Sequence, residues 1–233
     1  MGQLIGIDIG GTFTDFVLVD PDTMDIQTHK VPSIPSDPAK ALVHGLGDMR
    51  LETIDAIVHA TTVATNAILE HKGAETALLT TKGFRDVLEI QRIRVPALYD
   101  PLYIKPAPLV PRNLCFGVGE RLDAQGRVIT SLDEDDVRQA AQSLRREGVE
   151  SIAVCFLHAY INPLHEIRTR QIIQEVFPAV LVSLSAEVAP EFREYFRAST
   201  TVINAAIRPV VGRYLQSIET RLHQEGLQAE LLV

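Results

Sequence analysis

Near its N-terminus the chain reads Ile5-Gly6-Ile7-Asp8-Ile9-Gly10-Gly11-Thr12-Phe13-Thr14-Asp15-Phe16-Val17-Leu18-Val19. The pattern predicts two apolar strands, residues 4–9 and 13–19, joined by a tight turn that contains two glycines. Glycine has no Cβ, so such a turn lets backbone amides approach an anion closely. Thr12 and Thr14 add hydroxyl donors, and Asp8 stands at the strand end, where a carboxylate can hold hydrated Mg²⁺. These residue types favour a site for the phosphates of a nucleoside triphosphate.

Two other phosphate-binding loops do not fit this stretch. A P-loop needs a lysine after its second glycine, and Thr12 follows Gly11 instead. A dinucleotide-binding loop needs G-x-G-x-x-G ahead of a helix, whereas Gly6 and Gly10 have a different spacing and the next run is strand-like. For the short motif alone, a plain β-hairpin with a Gly-Gly turn stays open. The longer motif, which extends to Asp15, favours phosphate binding.

Composition excludes several classes of function. The chain has 233 residues, enough for one large or two small domains, and its 46% hydrophobic content supports a sizeable core. The net charge of −8 argues against a nucleic-acid partner, because such a partner needs a basic surface. No apolar run is long enough for a membrane span, and no signal peptide is recognised. Cys115 and Cys155 indicate no disulfide framework, so we expect a cytoplasmic protein.

Helices and strands alternate along the rest of the chain. Local patterns predict a strand over 25–31, a helix of about 12 residues from Asp37-Pro38, a strand over 54–59, a helix over 61–71 and a strand over 76–80. Five prolines predict an irregular stretch over 95–113. After that stretch, residues 114–185 have the pattern of a small α/β unit.

Three further helices are predicted in the second half, one of which begins at Asn162-Pro163. Ser131 with Glu134 indicates a capping box at the start of a helix that ends at Gly148. Residues 199–222 have a helical pattern that we expect to be broken near Arg208-Pro209, because proline removes a helical N–H and clashes with the preceding turn.

Other chemical motifs are weak. His165-Glu166 does not extend to the zinc motif H-E-x-x-H, because position 169 is Thr, and we expect both residues to face solvent in the first turn of a helix. No Gly-x-Ser-x-Gly motif occurs, and neither cysteine has an activating neighbour, so a covalent nucleophile is not supported.

A second polar stretch follows the strand over 54–59 and opens the next helix. Its polar side chains are Thr61, Thr62, Thr65 and Asn66. A helix N-terminus presents backbone amides and the positive end of its dipole to anions. Capping by one threonine is the simpler explanation, but four polar groups together favour a site. Thr62 and Asn66 are four residues apart, so we expect them to share one helix face.

Blocks of residues along nearly the whole chain resemble the N-terminal region of the hydantoinase A/oxoprolinase family. They are Asp8–Asp15, His59–Ala67, Thr80–Ile90, Pro108–Arg112, Asn162–Glu166, Ser183–Ser185, Pro190–Tyr195 and Thr200–Ala205. The family includes ATP-dependent hydantoinases, 5-oxoprolinase and subunits of acetone and acetophenone carboxylases. The order of the eight blocks is specific, although the family usually has Gly where Ala60 stands and an acid where Phe196 stands.

The resemblance implies an α/β fold. This fold is one half of the actin/sugar-kinase-like, or ribonuclease-H-like, architecture with an inserted small α/β subdomain. It implies the family's N-terminal region over 1–185, with a phosphate-binding part over 1–90 and the small unit over 114–185. The start of the next family domain is expected over 190–233.

The activity that the resemblance implies is ATP-dependent. A cyclic amide, such as a hydantoin, 5-oxoproline or a lactam, or a ketone is phosphorylated and then hydrolysed or carboxylated. ATP and Mg²⁺ are the implied cofactors, and positioning with charge neutralisation is most of what phosphoryl transfer requires. The implied roles are Mg²⁺ binding and catalysis for Asp8, nucleotide binding for Gly10, Gly11, Thr12, Thr14 and Asp15, catalysis for Thr62 and Asn66, and substrate contact for Thr61 and Thr65.

The implied partners are a small-molecule substrate and a companion hydantoinase B-type subunit or domain, and we expect an oligomer. Two other functions stay open. One is a non-catalytic fragment or an assembly or regulatory module that keeps half of an ATP clamp. The other is a sugar or acid kinase of the same architecture, which shares D-x-G-x-T but not the later blocks. We expect the 233-residue chain by itself to be inactive.

Overall fold

The computed structural model describes residues 2–34, 38–47, 54–92, 100, 102–224, 226 and 229–233. The chain divides into two compact units. Unit 1 consists of Met1–Glu70 and Val210–Val233, and unit 2 consists of His71–Pro209. Among the described residues, no helix has the length and apolar character needed to cross a membrane.

Unit 1 is built on a five-stranded mixed sheet in the order β11-β4-β1-β2-β3. The strands are β1 (Gln3–Ile9), β2 (Phe13–Val19), β3 (Ile26–Pro32), β4 (Ile54–Thr61) and β11 (Glu230–Leu232). β1, β2 and β3 form an antiparallel meander, while β4 is parallel to both β1 and β11. The helices are α1 (Pro38–Leu46), α2 (Val63–Leu69) and the last part of α7 (Glu194–Gln224).

One face of this sheet is the core of unit 1. Ile5, Ile7 and Ile9 of β1 are buried there, because alternate side chains of a strand point to the same face. They form one apolar cluster with residues of β2, of α1 and of the last turns of α7. Asp8 alternates with them and is exposed on the opposite face.

Unit 2 is built on a four-stranded parallel sheet in the order β10-β9-β5-β6. Its strands are β5 (Thr76–Thr81), β6 (Cys115–Val118), β9 (Ser151–Cys155) and β10 (Leu181–Leu184), with the small hairpin β7 (Arg121–Leu122) and β8 (Val128–Thr130). Its helices are α3 (Val87–Ile90), α4 (Glu134–Glu147), α5 (Leu164–Val176), α6 (Ser185–Val188) and the first part of α7. Every residue of β5 and β9 is buried, as is usual for central strands of a parallel sheet.

The boundaries of the two units differ from the boundaries that the sequence predicts. β5 pairs with β6 and β9 rather than with the first sheet. The α/β unit predicted over 114–185 therefore extends from His71 to Pro209, and the part predicted over 1–90 ends at Glu70. The reason is that an apolar run identifies a strand but not the sheet that it joins.

Helix α7 continues through Pro209, so the break predicted near Arg208-Pro209 is wrong. Proline removes one N–H from the helical ladder. Here Ala205 and Ala206 are buried one turn earlier, and the Ala206 carbonyl accepts a bond from the Ala74 amide at 2.9 Å. These contacts within unit 2 stabilise the helix next to the proline.

Helix α4 begins with a different cap from the predicted one. Asp133, and not Ser131, is the N-cap, and its side chain accepts bonds from the amides of Asp135 and Asp136. Ser131 and Asp133 lie two residues apart, and serine and aspartate are equally favourable N-caps, so residue type alone does not distinguish them. The helix ends at Gly148, as predicted, and this glycine adopts the left-handed conformation.

Two predictions fall partly outside the described residues. Asp37 lies outside them, and α1 is described from Pro38. In the predicted irregular stretch, residues 95–99 and 101 also lie outside them. The part of 95–113 that is described contains neither strand nor α-helix, and a short 3-10 turn begins at Arg112.

Candidate functional site

The turn between β1 and β2 is held against the chain that follows β3. The Gly10 amide donates to the Phe13 carbonyl at 3.0 Å, and the Ser33 amide donates to the Thr12 carbonyl at 2.9 Å. A Cβ on Gly10 would lie 3.1 Å from the Phe13 carbonyl oxygen, whereas a Cβ on Gly11 would meet nothing within 4 Å. The turn is therefore close-packed at Gly10 and open at Gly11, where a ligand can approach the backbone.

Thr14 does not lie on the open side of this turn. It is buried on the core face of β2, and its hydroxyl lies 2.9 Å from that of Ser33. The Ser33 hydroxyl in turn donates to the Gly10 carbonyl at 2.7 Å. The Thr14 hydroxyl thus stabilises the turn, and the predicted contact with a phosphate is not supported in this conformation. Strand alternation, applied to β2, is the signal that identifies this orientation.

Asp8 and Asp15 lie opposite each other on β1 and β2, and opposite residues of an antiparallel pair share one face. Asp8 is exposed, whereas Asp15 forms an ion pair with Lys30 at 2.9 Å. Like charges at opposite positions repel each other, and a cation relieves this repulsion. Mg²⁺ is usually held by one or two carboxylates together with water and substrate phosphates. The carboxylates of Asp8 and Asp15 therefore fit hydrated Mg²⁺. Among the described contacts Asp8 has no ion pair, so its carboxylate is the one that is available to the ion.

The second polar stretch lies beside this turn. β1 and β4 are parallel, and Ile9 pairs with Thr61 at their carboxyl ends. The turn that follows β1 and the helix α2 that follows β4 therefore start at the same edge of the sheet. In open α/β sheets, ligands bind outside the carboxyl ends of the strands.

Thr62 and Asn66 share one face of α2, as predicted. Asn66 Nδ2 donates to Thr62 Oγ1 at 3.3 Å, and both residues are exposed, as is Thr65. Thr62 stands at the N-cap without a capping bond, so capping does not explain it. Thr61 differs, because its hydroxyl accepts a bond from the Val63 amide at 3.2 Å. That bond holds the start of α2, so the structure gives no support to substrate contact by Thr61.

Sequence reasoning missed a buried polar network in unit 2. His165 and Glu166 are 5% and 0% exposed, so the expectation that they face solvent is wrong. The Glu166 carboxylate accepts bonds from the amides of Phe156 and Ala186, at 2.9 and 3.0 Å, and from the Ser185 hydroxyl at 2.6 Å. The first turn of α5 packs against the chain that follows β9 and β10, and no local sequence signal reveals this packing.

Arg197 of α7 contributes the cation of this network. It is 2% exposed, and its guanidinium donates to the Ser185 hydroxyl at 3.1 Å and to the Phe156 carbonyl at 2.7 Å. Burial raises the pKa of the Glu166 carboxyl to about 7, while the Ser185 hydroxyl, two backbone amides and Arg197 act in the opposite direction. The Ser185 hydroxyl links the two charged groups, because it donates to Glu166 and accepts from Arg197. Buried charged groups are tolerated when hydrogen bonds satisfy them in this way.

A second buried carboxylate joins the ends of β5 and β9. Glu120 accepts bonds from the Thr81 hydroxyl and from His165 Nδ1, the latter at 2.8 Å. The Thr81 hydroxyl also accepts a bond from the Leu157 amide at 3.0 Å. The carboxylates of Glu166 and Glu120 are thus hydrogen-bonded to other groups of unit 2. We infer that both stabilise this unit and that neither belongs to a ligand site.

Comparison with known proteins identifies relatives along the chain. The family model described as the hydantoinase/oxoprolinase N-terminal region matches residues 4–177. An uncharacterized protein of Methanocaldococcus jannaschii is 41% identical over 238 residues, which cover 100% of this chain and 35% of that protein. The caprolactamase subunit alpha of Pseudomonas jessenii is 36% identical over 240 residues, which cover 96% of this chain and 34% of that subunit.

Two solved structures share the fold. The ATP-dependent caprolactamase of Pseudomonas jessenii matches with a TM-score of 0.85 at 35% identity, over 98% of this chain and 35% of that one. Nucleotide-free acetone carboxylase matches with a TM-score of 0.85 at 30% identity, over 97% of this chain and 35% of that one. The predicted actin-like α/β fold is confirmed. The chain spans about a third of the length of these relatives, and it belongs to the hydantoinase/oxoprolinase family.

Proposed function

We propose that the protein containing this chain uses ATP to activate a cyclic amide or a ketone by phosphorylating its carbonyl oxygen. The observation that carries the proposal is that exposed Asp8, the open turn at Gly11 and the exposed Thr62–Asn66 pair lie at one edge of the sheet of unit 1. The relatives support it, because the matched caprolactamase and the matched acetone carboxylase are described as ATP-dependent.

In this proposal the turn between β1 and β2 binds the nucleotide. Asp8 holds hydrated Mg²⁺, and the bound ion neutralises charge on the phosphates. Exposed backbone at Gly11 and Thr12 contacts the phosphate oxygens, and Gly10 keeps the turn in shape. Asp15 provides a second carboxylate on the same face, with its charge partly balanced by Lys30.

The start of α2 then acts on the reacting groups. The substrate carbonyl oxygen attacks the γ-phosphorus, the bond to the leaving ADP breaks, and a new carbon–oxygen–phosphorus linkage forms. Thr62 and Asn66, with Thr65 beside them, present hydroxyl and amide groups that orient the carbonyl and stabilise the transferred phosphoryl group. For a cyclic amide, one water then attacks the activated carbon and the ring carbon–nitrogen bond breaks, so that the nitrogen leaves as an amine and an acyl phosphate remains. A second water attacks the carbon of the acyl phosphate, and the carbon–oxygen bond breaks to release phosphate and leave a carboxylate.

The matched relatives are longer than this chain, which covers 35% and 34% of their length. We assign the adenosine pocket and the second phosphate loop to the rest of the full-length protein. The matched caprolactamase chain is named subunit alpha, which supports a companion subunit as the partner, and we propose that this subunit is of the hydantoinase B type.

The Asn66→Ala variant of the full-length protein tests the assignment of α2. We expect substrate-stimulated ATP hydrolysis to fall by about 100-fold, the typical loss for one transition-state donor, with little change in the dissociation constant for Mg-ATP. Stability should change by less than about 0.5 kcal/mol, because the side chain is exposed. Phosphate release in the presence of a lactam, 5-oxoproline, a hydantoin or a ketone measures the first quantity, and titration calorimetry measures the second.

Leu69→Ala is the matched control. Leu69 ends the same helix and is 73% exposed, so its truncation should leave both quantities at the wild-type level. Equal losses in the two variants would show that the integrity of α2, and not the Asn66 amide, controls turnover.

A further inference from the structure

His59 occupies a position on β4 where an apolar residue is expected. It is 2% exposed on the core face of the sheet and alternates with buried Ile57. Across the sheet it pairs with Ile7, the residue before Asp8. A leucine would fill such a site without needing a hydrogen-bond partner, whereas a buried imidazole needs partners for both ring nitrogens.

The two ring nitrogens bond different elements. Nδ1 lies 3.2 Å from the Ile7 carbonyl of β1, and Nε2 lies 2.7 Å from the Tyr214 hydroxyl of α7. A carbonyl only accepts, so Nδ1 carries the proton. Burial lowers the pKa of His59, which favours the neutral ring. In the neutral ring Nε2 accepts a bond, and the Tyr214 hydroxyl donates it.

The chain of bonds continues to the start of α2. The Tyr214 hydroxyl is also hydrogen-bonded to the Thr61 side chain, and the Thr61 hydroxyl accepts a bond from the Val63 amide. All four hydrogen bonds can point in one direction. The Val63 amide donates to Thr61, the Thr61 hydroxyl donates to Tyr214, the Tyr214 hydroxyl donates to His59, and His59 donates to the Ile7 carbonyl. Hydrogen bonds arranged in this way polarise and strengthen one another.

We propose that His59 is a positioning residue that fixes the end of β1, which carries Asp8, relative to the start of α2, which carries Thr62. The inference rests on the proposed function, in which these two residues act on the same phosphoryl group. His59 contacts neither group directly. It acts through the Ile7 backbone on one side and through Tyr214 on the other.

Substitutions at position 59 separate the two bonds. In the full-length protein, His59→Asn presents an amide where Nδ1 lies and keeps the donor to Ile7. His59→Gln presents one where Nε2 lies and keeps the contact with Tyr214, and His59→Leu keeps neither. Partners that orient a metal ligand typically contribute 10–100-fold to metal affinity or activity. We therefore expect His59→Leu to lower kcat by about 10–100-fold and to weaken the binding of Mg-ATP more than that of metal-free ATP.

His59→Asn and His59→Gln should each have a kcat and an affinity for Mg-ATP between those of wild type and of His59→Leu. Tyr214→Phe removes one hydroxyl and leaves Nε2 of His59 without its donor, so it should reproduce part of the loss. Should His59→Leu not fold, Tyr214→Phe and the amide variants decide the question. Kinetics measure turnover, and calorimetric titration with ATP in the presence and absence of Mg²⁺ measures binding without turnover.

Ile57→Val is the matched control, because Ile57 is buried on the same face of the same strand. It should cost about 1 kcal/mol of stability and leave kcat and Mg-ATP binding unchanged. Wild-type kcat and wild-type Mg-ATP binding in His59→Leu would overturn the proposal, as would equal losses in Ile57→Val. If wild type binds Mg-ATP but no substrate stimulates hydrolysis, the proposed function fails while the binding comparison still tests His59. If wild type does not bind Mg-ATP, both fail.

Discussion

The full-length protein with Asp8→Asn is expected to lose ATP turnover by about 100-fold or more, which is the order of loss for one preorganised electrostatic contact. Asparagine has nearly the same shape but no charge, so hydrated Mg²⁺ loses its carboxylate anchor. Asp8 is exposed at the end of β1, so the fold should be retained with a stability change within about 0.5 kcal/mol. Phosphate release and the thermal unfolding midpoint measure the two effects.

Asp15→Asn is the comparison for this variant. Asp15 lies opposite Asp8 but is partly neutralised by Lys30, so its substitution should lower turnover less. Wild-type turnover in a folded Asp8→Asn protein would remove Asp8 from the site.

The second large effect concerns stability. Arg197→Met is expected to reduce the free energy of unfolding by about 3–5 kcal/mol, the usual cost of removing one partner from a buried ionic group. The substitution leaves the Glu166 carboxylate without its cation and the Phe156 carbonyl without its donor, both in a buried site. Urea denaturation followed by circular dichroism measures this change.

Arg170→Met is the matched control on the surface. Arg170 pairs with Glu187 at 2.8 Å, and both side chains are partly exposed. Exposed ion pairs contribute up to about 1 kcal/mol, so this variant should remain close to wild type. A cost for Arg197→Met no larger than that for Arg170→Met would show that the buried network does not stabilise unit 2.

The strands of unit 1 could be predicted because their signals are local. The sequence predicts β2 over 13–19, and it is observed over the same residues. Its apolar run is bounded by Gly10-Gly11 on one side and by Asp20-Pro21 on the other. The sheet that each strand joins is not a local property. β5 looks like the continuation of the first sheet, yet it pairs with β6 and β9 in unit 2.

The sequence predicts which residues form the candidate site better than it predicts where their side chains point. The sequence identifies the glycine turn and the polar start of α2, and it predicts that Thr62 and Asn66 share a face. It does not show that Thr14 bonds Ser33 instead of facing a ligand. The contact between His59 and Tyr214 joins residues 155 positions apart, so no local pattern relates them.

Buried polar residues are the least predictable part of the chain. His165 and Glu166 stand in the first turn of a helix, where charged residues usually face solvent. Their burial depends on the ends of β5, β9 and β10, which come together only in the folded unit.

The most direct test of the central claim follows the carbonyl oxygen. The full-length protein, with its companion subunit where one is required, is supplied with ATP and a substrate that stimulates hydrolysis, labelled with oxygen-18 at the carbonyl. If that oxygen attacks the γ-phosphorus and its bond to carbon later breaks, the released phosphate contains one labelled oxygen atom. Mass spectrometry of the phosphate measures the label. With a cyclic amide as the substrate, turnover that releases unlabelled phosphate would contradict the proposed route, in which the carbonyl oxygen is phosphorylated and its bond to carbon then breaks.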